Sequence, residues 1–564
     1  MAHGRSAGTQ CRDTVHGFCT LLWMPTATKG AVGSVLVLLA SAQFLMTLDA
    51  SVMNVSIADV ARDLHTTTVG IQTAITMYTL VMASLMLTGA KIGAKIGRKR
   101  ALSIGLVIYA AGSGITSISP NLGVLLFGWS FLEGVGAALI LPAIVALVAA
   151  NFPRERRSAA YGAIAAAGAI AITVGPILGG AMTSFASWRY VFVGEVVVAF
   201  VILLRARKIT DSAPTVVGPF DWLGSVLSVV GLSAIVFGVL KSSTWGFVRA
   251  KPGGPSVLGL SPVILLVVLG LFVLWLFSRH EANRTRRSQE PLLPPGIVQV
   301  PQVRAGLFGF GFQFFVQAGL FFVIPVYLSI VCGLSAFQTG LRLLPLSVSL
   351  LLAALLIPRV FPRTSSRLIV RIGFLLTFVG TVVFLVRLDP KAGPEIVALP
   401  MFIIGLGIGA LASQLGAVTV SGVDDDRAGD VGGVQNTVTN LGASLGTALA
   451  GSILFSVLAA NLLVAVNTAP GLSDELRSEA TVTISQGVAI VSDEQLAATL
   501  STTDLTAAQQ QAVIDANSAA RLKALRAALL GVAVIEIGAI FAMRKVPKVP
   551  VAATVPESGQ PPPQ

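Results

Sequence analysis

Apolar residues run along this chain in long unbroken stretches rather than alternating with polar ones. The stretches fall near 31–57, 69–90, 101–118, 122–150, 158–185, 189–207, 222–241, 261–279, 304–331, 337–358, 367–387, 396–420, 430–465 and 524–543. About 20 apolar residues carry an α-helix across the hydrocarbon core of a bilayer. The pattern therefore predicts an all-α polytopic membrane protein with fourteen spans, and no barrel, whose strands would alternate. The stretch 430–465 is longer than one crossing needs, which predicts a tilted helix or one whose end leaves the membrane. The polar punctuation then divides the chain. Residues 1–30 form an N-terminal tail and 31–208 a bundle of six helices. Two inserted helices with their linkers fill 209–303. A second six-helix bundle occupies 304–545, with a long loop at 466–523, and 546–564 is a C-terminal tail. Two bundles about a midplane site fit a carrier that rocks between two open states.

Composition agrees with a membrane solvent. Of the 564 residues, 54% are hydrophobic and 12% charged, half the charged share of an ordinary soluble domain. The net charge of +13 would raise nucleic-acid binding in a soluble protein. Here it has a topological reading, because no separate basic domain exists and Lys and Arg gather in cytoplasmic loops. With the N-terminus inside, the inner segments hold Lys91, Lys95, Arg98, Lys99 and Arg100, then Arg154, Arg156 and Arg157, then Arg205, Arg207 and Lys208. Arg279, Arg284, Arg286, Arg287, Arg359, Arg363, Arg367 and Arg371 follow on the same side, while Arg521, Lys523 and Arg526 cut against the rule. The balance predicts a multi-pass inner or plasma membrane protein with both termini cytoplasmic. Cys11, Cys19 and Cys332 form no CxxC or Cys/His group, so neither a disulfide framework nor a metal site is expected. The apolar piece Phe18 to Met24 is too short for a signal-peptide core. It reads as part of a cytoplasmic tail, or as residues preceding a true start at Met24.

A carboxylate at the centre of a spanning helix costs roughly 2.5–3.5 kcal/mol on insertion scales. Asp49, Glu133, Glu195 and Glu536 nevertheless lie in apolar spans. At 1.5 Å per residue, Asp49 and Glu133 sit about 12 and about 17 Å below the outer ends of their helices, at comparable depth. Two carboxyls in one low-dielectric cavity do not both ionise easily. Such a pair can load a proton on one side and release it on the other. Glu195 follows Trp188 and Arg189 by two turns, which predicts a shallow or locally paired acid. A hydrogen-bonded packing role is the plainer alternative for each. In the ninth span, Phe310, Phe314, Gln317 and Phe321 recur on one helical face with Gln313 beside it. Aromatic rings with amides suit a large lipophilic ligand, and the same face could equally pack against lipid or helices. Gln435, Asn436 and Asn440 read first as amides that join helices.

These segments resemble the major facilitator superfamily, in its fourteen-helix drug:proton antiporter branch of the EmrB/QacA type. Leu48, Asp49, Val52, Asn54 and Val55 resemble that branch's first-helix motif. Gly162, Ala171, Gly175, Pro176, Gly179 and Gly180 resemble its antiporter motif, with Ala171 in a glycine place. Trp188 to Phe192 resembles the motif that opens the sixth helix. Gly89, Gly93, Gly97, Arg98, Lys99 and Arg100 resemble the superfamily's loop between helices 2 and 3, which the resemblance makes a cytoplasmic gate. Ala94 there replaces the usual Asp. In the fourth helix Ser130 and Glu133 stand where the branch has Arg and Gln, and Glu195 where it often has Asn. The usual basic partner of the first-helix acid is missing and a second acid takes its place.

The resemblance implies a proton-coupled efflux transporter for small amphipathic compounds, cationic ones among them. The assignment of proton coupling to Asp49, Glu133 and Glu195 rests on the buried acids themselves and not on the resemblance, while the resemblance makes the ninth helix, with Phe310, Gln313, Phe314, Gln317 and Phe321, a wall of the cavity. A lipid or lipopeptide exporter and a passive facilitator or channel are the alternatives. No enzyme is expected, since no nucleophile, metal or cofactor motif assembles, and no GxxxxGK[ST] loop suggests an ATP-driven pump. The expected energy source is the proton gradient, with no cofactor, no metal and no nucleic-acid partner. The expected partners are a small-molecule substrate and the bilayer, with the chain acting as a monomer, and any periplasmic adaptor unidentified.

Overall fold

A computed structural model of the chain describes residues 29–152, 154–211, 219–250, 254–293, 295–361, 363–388, 393–420, 423, 428–468, 484, 490–501 and 506–545. The tails expected at 1–28 and 546–564, and much of the loop 466–523, lie outside the described residues.

A helix stands at each of the predicted spans, and there is no β-strand among the described residues. The first half holds α1 (Lys29–Val55), α2 (Thr68–Ile96) and α3 (Arg98–Ser117). α4 follows as three consecutive stretches, Leu122–Leu125, a π-helical segment Leu126–Glu133, and Gly134–Asn151. Then come α5 (Arg154–Phe185) and α6 (Arg189–Arg205). α7 (Trp222–Trp245) and α8 (Pro262–Arg286) form a hairpin. The second half holds α9 (Pro301–Val326), α10 (Leu344–Val360), α11 (Ser366–Arg387), α12 (Ala398–Val420), α13 (Ala428–Thr468) and α14 (Ala507–Ala542). Among the described residues, eleven helical spans are long and apolar enough to cross a membrane, or up to twelve if the bent α5 is counted as one. α6, at 17 residues, and α3, which opens on Arg98, Lys99 and Arg100, fall short of that measure. Exposed Phe127, Phe131, Phe200, Phe272, Leu352, Phe402 and Val534 give the helices the apolar outer surface that lipid requires.

Helix contacts sort by half. α1 packs on α5, α3 on α4 and α6, and α2 on α4. In the second half α9 packs on α13, α10 and α11 on α12, and α14 on α11 and α13. The halves meet along α2 and α13, where Gln72 donates to the Thr447 carbonyl at 3.0 Å and Ser444 to the Thr76 carbonyl at 3.0 Å. α7 closes the outside of this seam by packing on both α2 and α13. Asp221 caps α7 through the Gly224 N–H at 2.9 Å and pairs with His280 of α8 at 2.8 Å.

One segment departs from expectation: α14 begins at Ala507, inside the stretch expected to be loop. A short helix Asp493–Leu500, of the kind such a loop could hold as a cap, packs on it. Arg521 explains the first departure from the positive-residue rule. It is buried, and its guanidinium donates to the Val491 carbonyl at 2.7 Å and pairs with Asp493 at 2.5 Å. Arg526 donates to the Leu388 carbonyl at 2.5 Å. Both cations are thus engaged by structural partners.

A second meeting of the halves depends on glycine. α5 bends by 41° between Ala166–Ile172 and Val174–Phe185, next to Pro176, which has no N–H to close the preceding turn. Past the bend, Gly175 and Gly179 face α1. A Cβ at Gly175 would lie 2.5 Å from Ser51 Cβ, and one at Gly179 would lie 2.7 Å from Val52 Cγ1. Pro176 and Gly180, one position on, face the short helix Ala336–Arg342 that precedes α10. A Cβ at Gly180 would meet the Ala336 carbonyl oxygen at 2.4 Å, and one at Gly340 the Pro176 carbonyl oxygen at 2.2 Å. The spacing of the motif is thus two interleaved faces, one for each neighbour. Gly340→Val should overpack this seam, at a cost of about 1–3 kcal/mol, and lower the thermal unfolding midpoint in detergent. Gly194→Val, where nothing lies within 4 Å of the added Cβ, should leave it unchanged. Equal midpoints for the two variants would refute the backbone-contact reading.

Candidate functional site

Asp49 of α1, Glu133 of α4 and Glu195 of α6 converge in the core of the first half. One carboxylate oxygen from each lies within 4.8 Å of the others, and all three side chains are at most 2% exposed. Glu195 is therefore neither shallow nor locally paired, as its closeness to the helix start had suggested. The second turn of α6 brings its carboxylate to the same place as those of Asp49 and Glu133.

The hydrogen bonds come from neighbours that sequence reasoning did not select. Trp129 Nε1 donates to Asp49 Oδ1 at 2.8 Å, and the Trp129 ring stacks on Tyr78 at 5.0 Å between centroids. α3 supplies the remaining donors from one face. Tyr109 Oη donates to Glu195 Oε2 at 3.0 Å, Ser113 Oγ to the same oxygen at 3.2 Å, and Thr116 Oγ1 to Glu133 Oε1 at 3.3 Å. Tyr109, Ser113 and Thr116 stand at helical spacing, a signal readable in sequence only once the acids they face are known. The π-helical turn of α4 also matters locally. It places Trp129, Ser130 and Glu133 inward together, and Ser130 Oγ secures the segment by donating to the Ala74 carbonyl at 2.8 Å. Such turns recur at functional sites. Gly112 and Gly128 let α3 and α4 approach closely enough for these bonds. A Cβ at Gly112 would lie 2.7 Å from Glu133 Cγ and 2.7 Å from the Gly128 oxygen.

The donors do not suffice. Asp49 Oδ2, Glu133 Oε2 and Glu195 Oε1 are buried without a hydrogen-bond partner. Among the described residues, no Lys, Arg or His forms an ion pair with any of the three acids. Buried oxygens ordinarily find donors, and a protonated carboxyl is itself one. Two full charges at the observed spacing would repel by about 3–4 kcal/mol at an effective dielectric near 20. Three carboxyls so placed can share protons, or present one free oxygen each to a cation.

The other sequence candidates separate. A narrow pocket lies between the halves and is lined by Ser51, Asn54, Val55, Ile172, Pro176, Phe321, Pro325, Leu343, Leu346 and Ser347. Phe321 alone of the aromatic face reaches it. Phe310 packs with Val370, Phe374, Leu411 and Leu415, and Phe314 packs against the same cluster. Gln313 and Gln317 are buried, and Gln313 Oε1 has no donor. Asn440 Nδ2 is spent on the Asn436 carbonyl at 2.9 Å.

In the loop between α2 and α3, Gly97 makes the turn alone at φ +103°. Gly89 abuts the Ala138 carbonyl and Gly93 lies against Ala101 and Arg98. A carboxylate reaches this loop from elsewhere in the chain: Asp211, beyond α6, accepts the Lys99 N–H at 2.9 Å at the start of α3. Arg98 donates to the Ala90 carbonyl at 3.0 Å, Lys99 Nζ reaches the Arg207 carbonyl at 3.4 Å, and Arg100 is exposed. Gly162 lies in the first half of α5, away from the glycine seam. At the other end of the half, Trp188 Nε1 donates to Asp63 at 2.9 Å, Arg189 pairs with Asp63, and its guanidinium lies over the Trp188 ring at 4.5 Å.

Partial burial works against the Asp63 charge, but the hydrogen bonds from Trp188 and Arg189 and the Arg189 charge hold its pKa below the ordinary carboxylate value. The stabilisation this gives is present above the unfolded-state value and disappears as pH falls through the lower folded one. Asp63→Asn should therefore lower the thermal midpoint at pH 7, and the gap to wild type should close on acidification below about pH 4. A gap that persists undiminished in acid would show that the Asp63 charge is not involved.

The comparisons with known proteins follow this geometry. A family model described as Major Facilitator Superfamily matches residues 39–252 and 219–447. The chain is 33% identical over 438 residues to the puromycin resistance protein pur8 of Streptomyces alboniger, covering 76% of this chain and 82% of that one. It is 28% identical over 522 residues to the drug efflux pump JefA of Mycobacterium tuberculosis, covering 90% and 97%. It is 26% identical to the tetracenomycin C resistance and export protein of Streptomyces glaucescens, covering 76% and 77%. Among solved structures, it superposes on a bacterial homolog of the human lysosomal transporter Spinster, in an inward-facing and unoccupied conformation, with a TM-score of 0.57 at 14% identity, covering 92% and 98%.

Proposed function

The chain belongs to the Major Facilitator Superfamily, and from that premise we propose that it is a multidrug-type efflux transporter driven by proton entry through the Asp49–Glu133–Glu195 cluster. The observation that carries the coupling is the convergence of three buried carboxyls from α1, α4 and α6 with no basic partner among the described residues. Export of antibiotics and other small molecules, named for the similar proteins, supports the substrate class.

α1 connects the two events. Asp49 is held by Trp129 in the proton cluster, while Ser51, Asn54 and Val55 on the next turn line the cavity between the halves. Loading a proton on the cluster removes repulsion among the acids and changes how α1 is held against α4 and α6. Losing it restores the charge. A substrate seated against Ser51, Asn54 and Phe321 acts on the same helix from its other side. Each ligand then biases the helix that the other touches, which is the physical content of coupling. The cavity is apolar apart from a few hydroxyl and amide groups, and amphipathic compounds suit it. Nearby carboxyls favour those carrying a positive charge. A proton moving down 100 mV supplies about 2.3 kcal/mol, with the pH gradient in addition. The chain acts as a single unit in a cell membrane, with both termini on the cytoplasmic side.

Reconstitution in liposomes under an imposed pH gradient tests this, with ethidium as the fluorescent cation. Wild type should accumulate ethidium only with the gradient. Asp49→Asn, Glu133→Gln and Glu195→Gln should each lose gradient dependence. Transport that is equal with and without the gradient would leave a facilitator, and wild-type coupling in all three variants would remove the carboxyl assignment.

A further inference from the structure

The two halves repeat one contact pattern in detail. In α3 and α4 a Cβ at Gly105 would meet the Gly136 carbonyl oxygen at 2.9 Å, and one at Gly136 would meet the Gly105 oxygen at 2.8 Å. In α11 and α12 the same reciprocal contact joins Gly373 and Gly407, at 3.0 and 2.6 Å. Tyr109, Gly112 and Ser113 stand four, seven and eight positions after Gly105, and Thr377, Gly380 and Thr381 stand at those positions after Gly373. A Cβ at Gly112 would meet Glu133 and the Gly128 oxygen. A Cβ at Gly380 would meet Ile404 and the Pro400 oxygen. The correspondence therefore extends through four helices, with one extra residue between Gly128 and Glu133 in the first half.

It ends on an acid in each half. In the first, Ser113 of α3 donates to Glu195 of α6. In the second, Thr381 of α11 donates to Glu536 of α14 at 3.2 Å, from the position equivalent to Ser113. Glu536 is 0% exposed, and its Oε2 has no hydrogen-bond partner. α9, α11 and α13 pack against α14. The polar groups they bring to Glu536 are the hydroxyls of Thr377 and Thr381, with no cation or second acid among the described residues. Where the first half has Glu133, the second has Ile404.

We infer that Glu536 is a second proton-binding site, the counterpart of Glu195 in the other half, loading one proton independently of the Asp49 cluster. The inference draws its transport consequence from the proposed proton coupling, but the site itself stands on the repeated geometry. A lone carboxyl with one hydroxyl donor and one unsatisfied oxygen needs a proton as the missing donor. Its separation from the first cluster lets it bind that proton without competing for it.

Infrared titration of the full-length protein in lipid, following the carbonyl stretch of protonated carboxyls, tests the site without transport. Glu536→Gln should remove one titrating component. That component should persist when Asp49→Asn, Glu133→Gln and Glu195→Gln are combined. Thr381→Val, which keeps the acid, should move the midpoint of the same component. A spectrum that titrates alike in wild type and Glu536→Gln overturns the inference. Should the Gln variant not fold, an unmoved midpoint in Thr381→Val overturns it instead. In liposomes, the reversal potential should report one proton fewer per ethidium in Glu536→Gln, with gradient-driven export retained, and an unchanged proton number overturns the transport role. Wild-type export indifferent to the gradient would defeat the proposed coupling, and the infrared component would still decide the site.

Discussion

The first half is organised around a shortage of hydrogen-bond donors. Asp49, Glu133 and Glu195 bring six oxygens into the buried core, and Trp129, Tyr109, Ser113 and Thr116 satisfy three of them. Three remain, one on each acid. In a membrane interior such a deficit is costly, and no basic side chain among the described residues pairs with the three acids. Under the proposed coupling a proton relieves it. Four helices depend on this arrangement: α1, α4 and α6 carry the acids, and α3 hands donors to two of them. A change in proton number would then act on the packing of all four.

That convergence is possible only because the backbones come close. Lipid tails are as apolar as leucine, so helix association in a bilayer rests on packing and interhelical hydrogen bonds rather than on hydrophobic burial. Gly105, Gly112, Gly128 and Gly136 let α3 lie against α4. Gly175 and Gly179 do the same for α5 against α1, while Gly180 and Gly340 join the halves. A seam of carbonyls and missing side chains can slide or part with little disturbance of rotamers. The glycines bring the acids within reach of one another and let the halves touch backbone to backbone at Gly180 and Gly340.

Much of this was legible in the chain. Continuous apolar stretches located the helices, because in lipid every span must satisfy its own backbone and be apolar throughout. Single acids in those spans located Asp49, Glu133, Glu195 and Glu536, because their cost makes them conspicuous. Partners were far less visible. Tyr109, Ser113 and Thr116 are ordinary residues for a membrane helix, and nothing in their spacing says which helix they face. Phe310 and Phe314 misled for the same reason. Helical periodicity groups residues on one face but does not say whether that face meets a cavity or the neighbouring helix, and here α11 and α12 cover it. The α2–α3 loop lost its usual acid at Ala94, and the acid that serves it, Asp211, stands more than a hundred residues away. Long-range complementarity of that kind has no local signature.

The differences between the halves say where function was added to a repeated scaffold. Gly112 reaches the backbone oxygen of Gly128 and the side chain of Glu133, five residues apart, whereas Gly380 reaches Pro400 and Ile404, four apart. The extra residue in the first half falls within the π-helical segment Leu126–Glu133. A one-residue insertion in a helix turns everything before it by about 100°. Trp129 and Ser130 lie in that turned stretch, and both point inward, one to Asp49 and the other to Ala74. α12, the counterpart of α4, is plain α-helix over Ala398–Val420, Ile404 fills the place of Glu133, and Glu536 stands without a carboxyl neighbour among the described residues. The scaffold common to both halves thus provides a buried acid on the sixth helix with a hydroxyl donor on the third. The π turn and the substitution of Glu for an apolar residue convert that single site into a cluster in one half, next to the helix that lines the cavity.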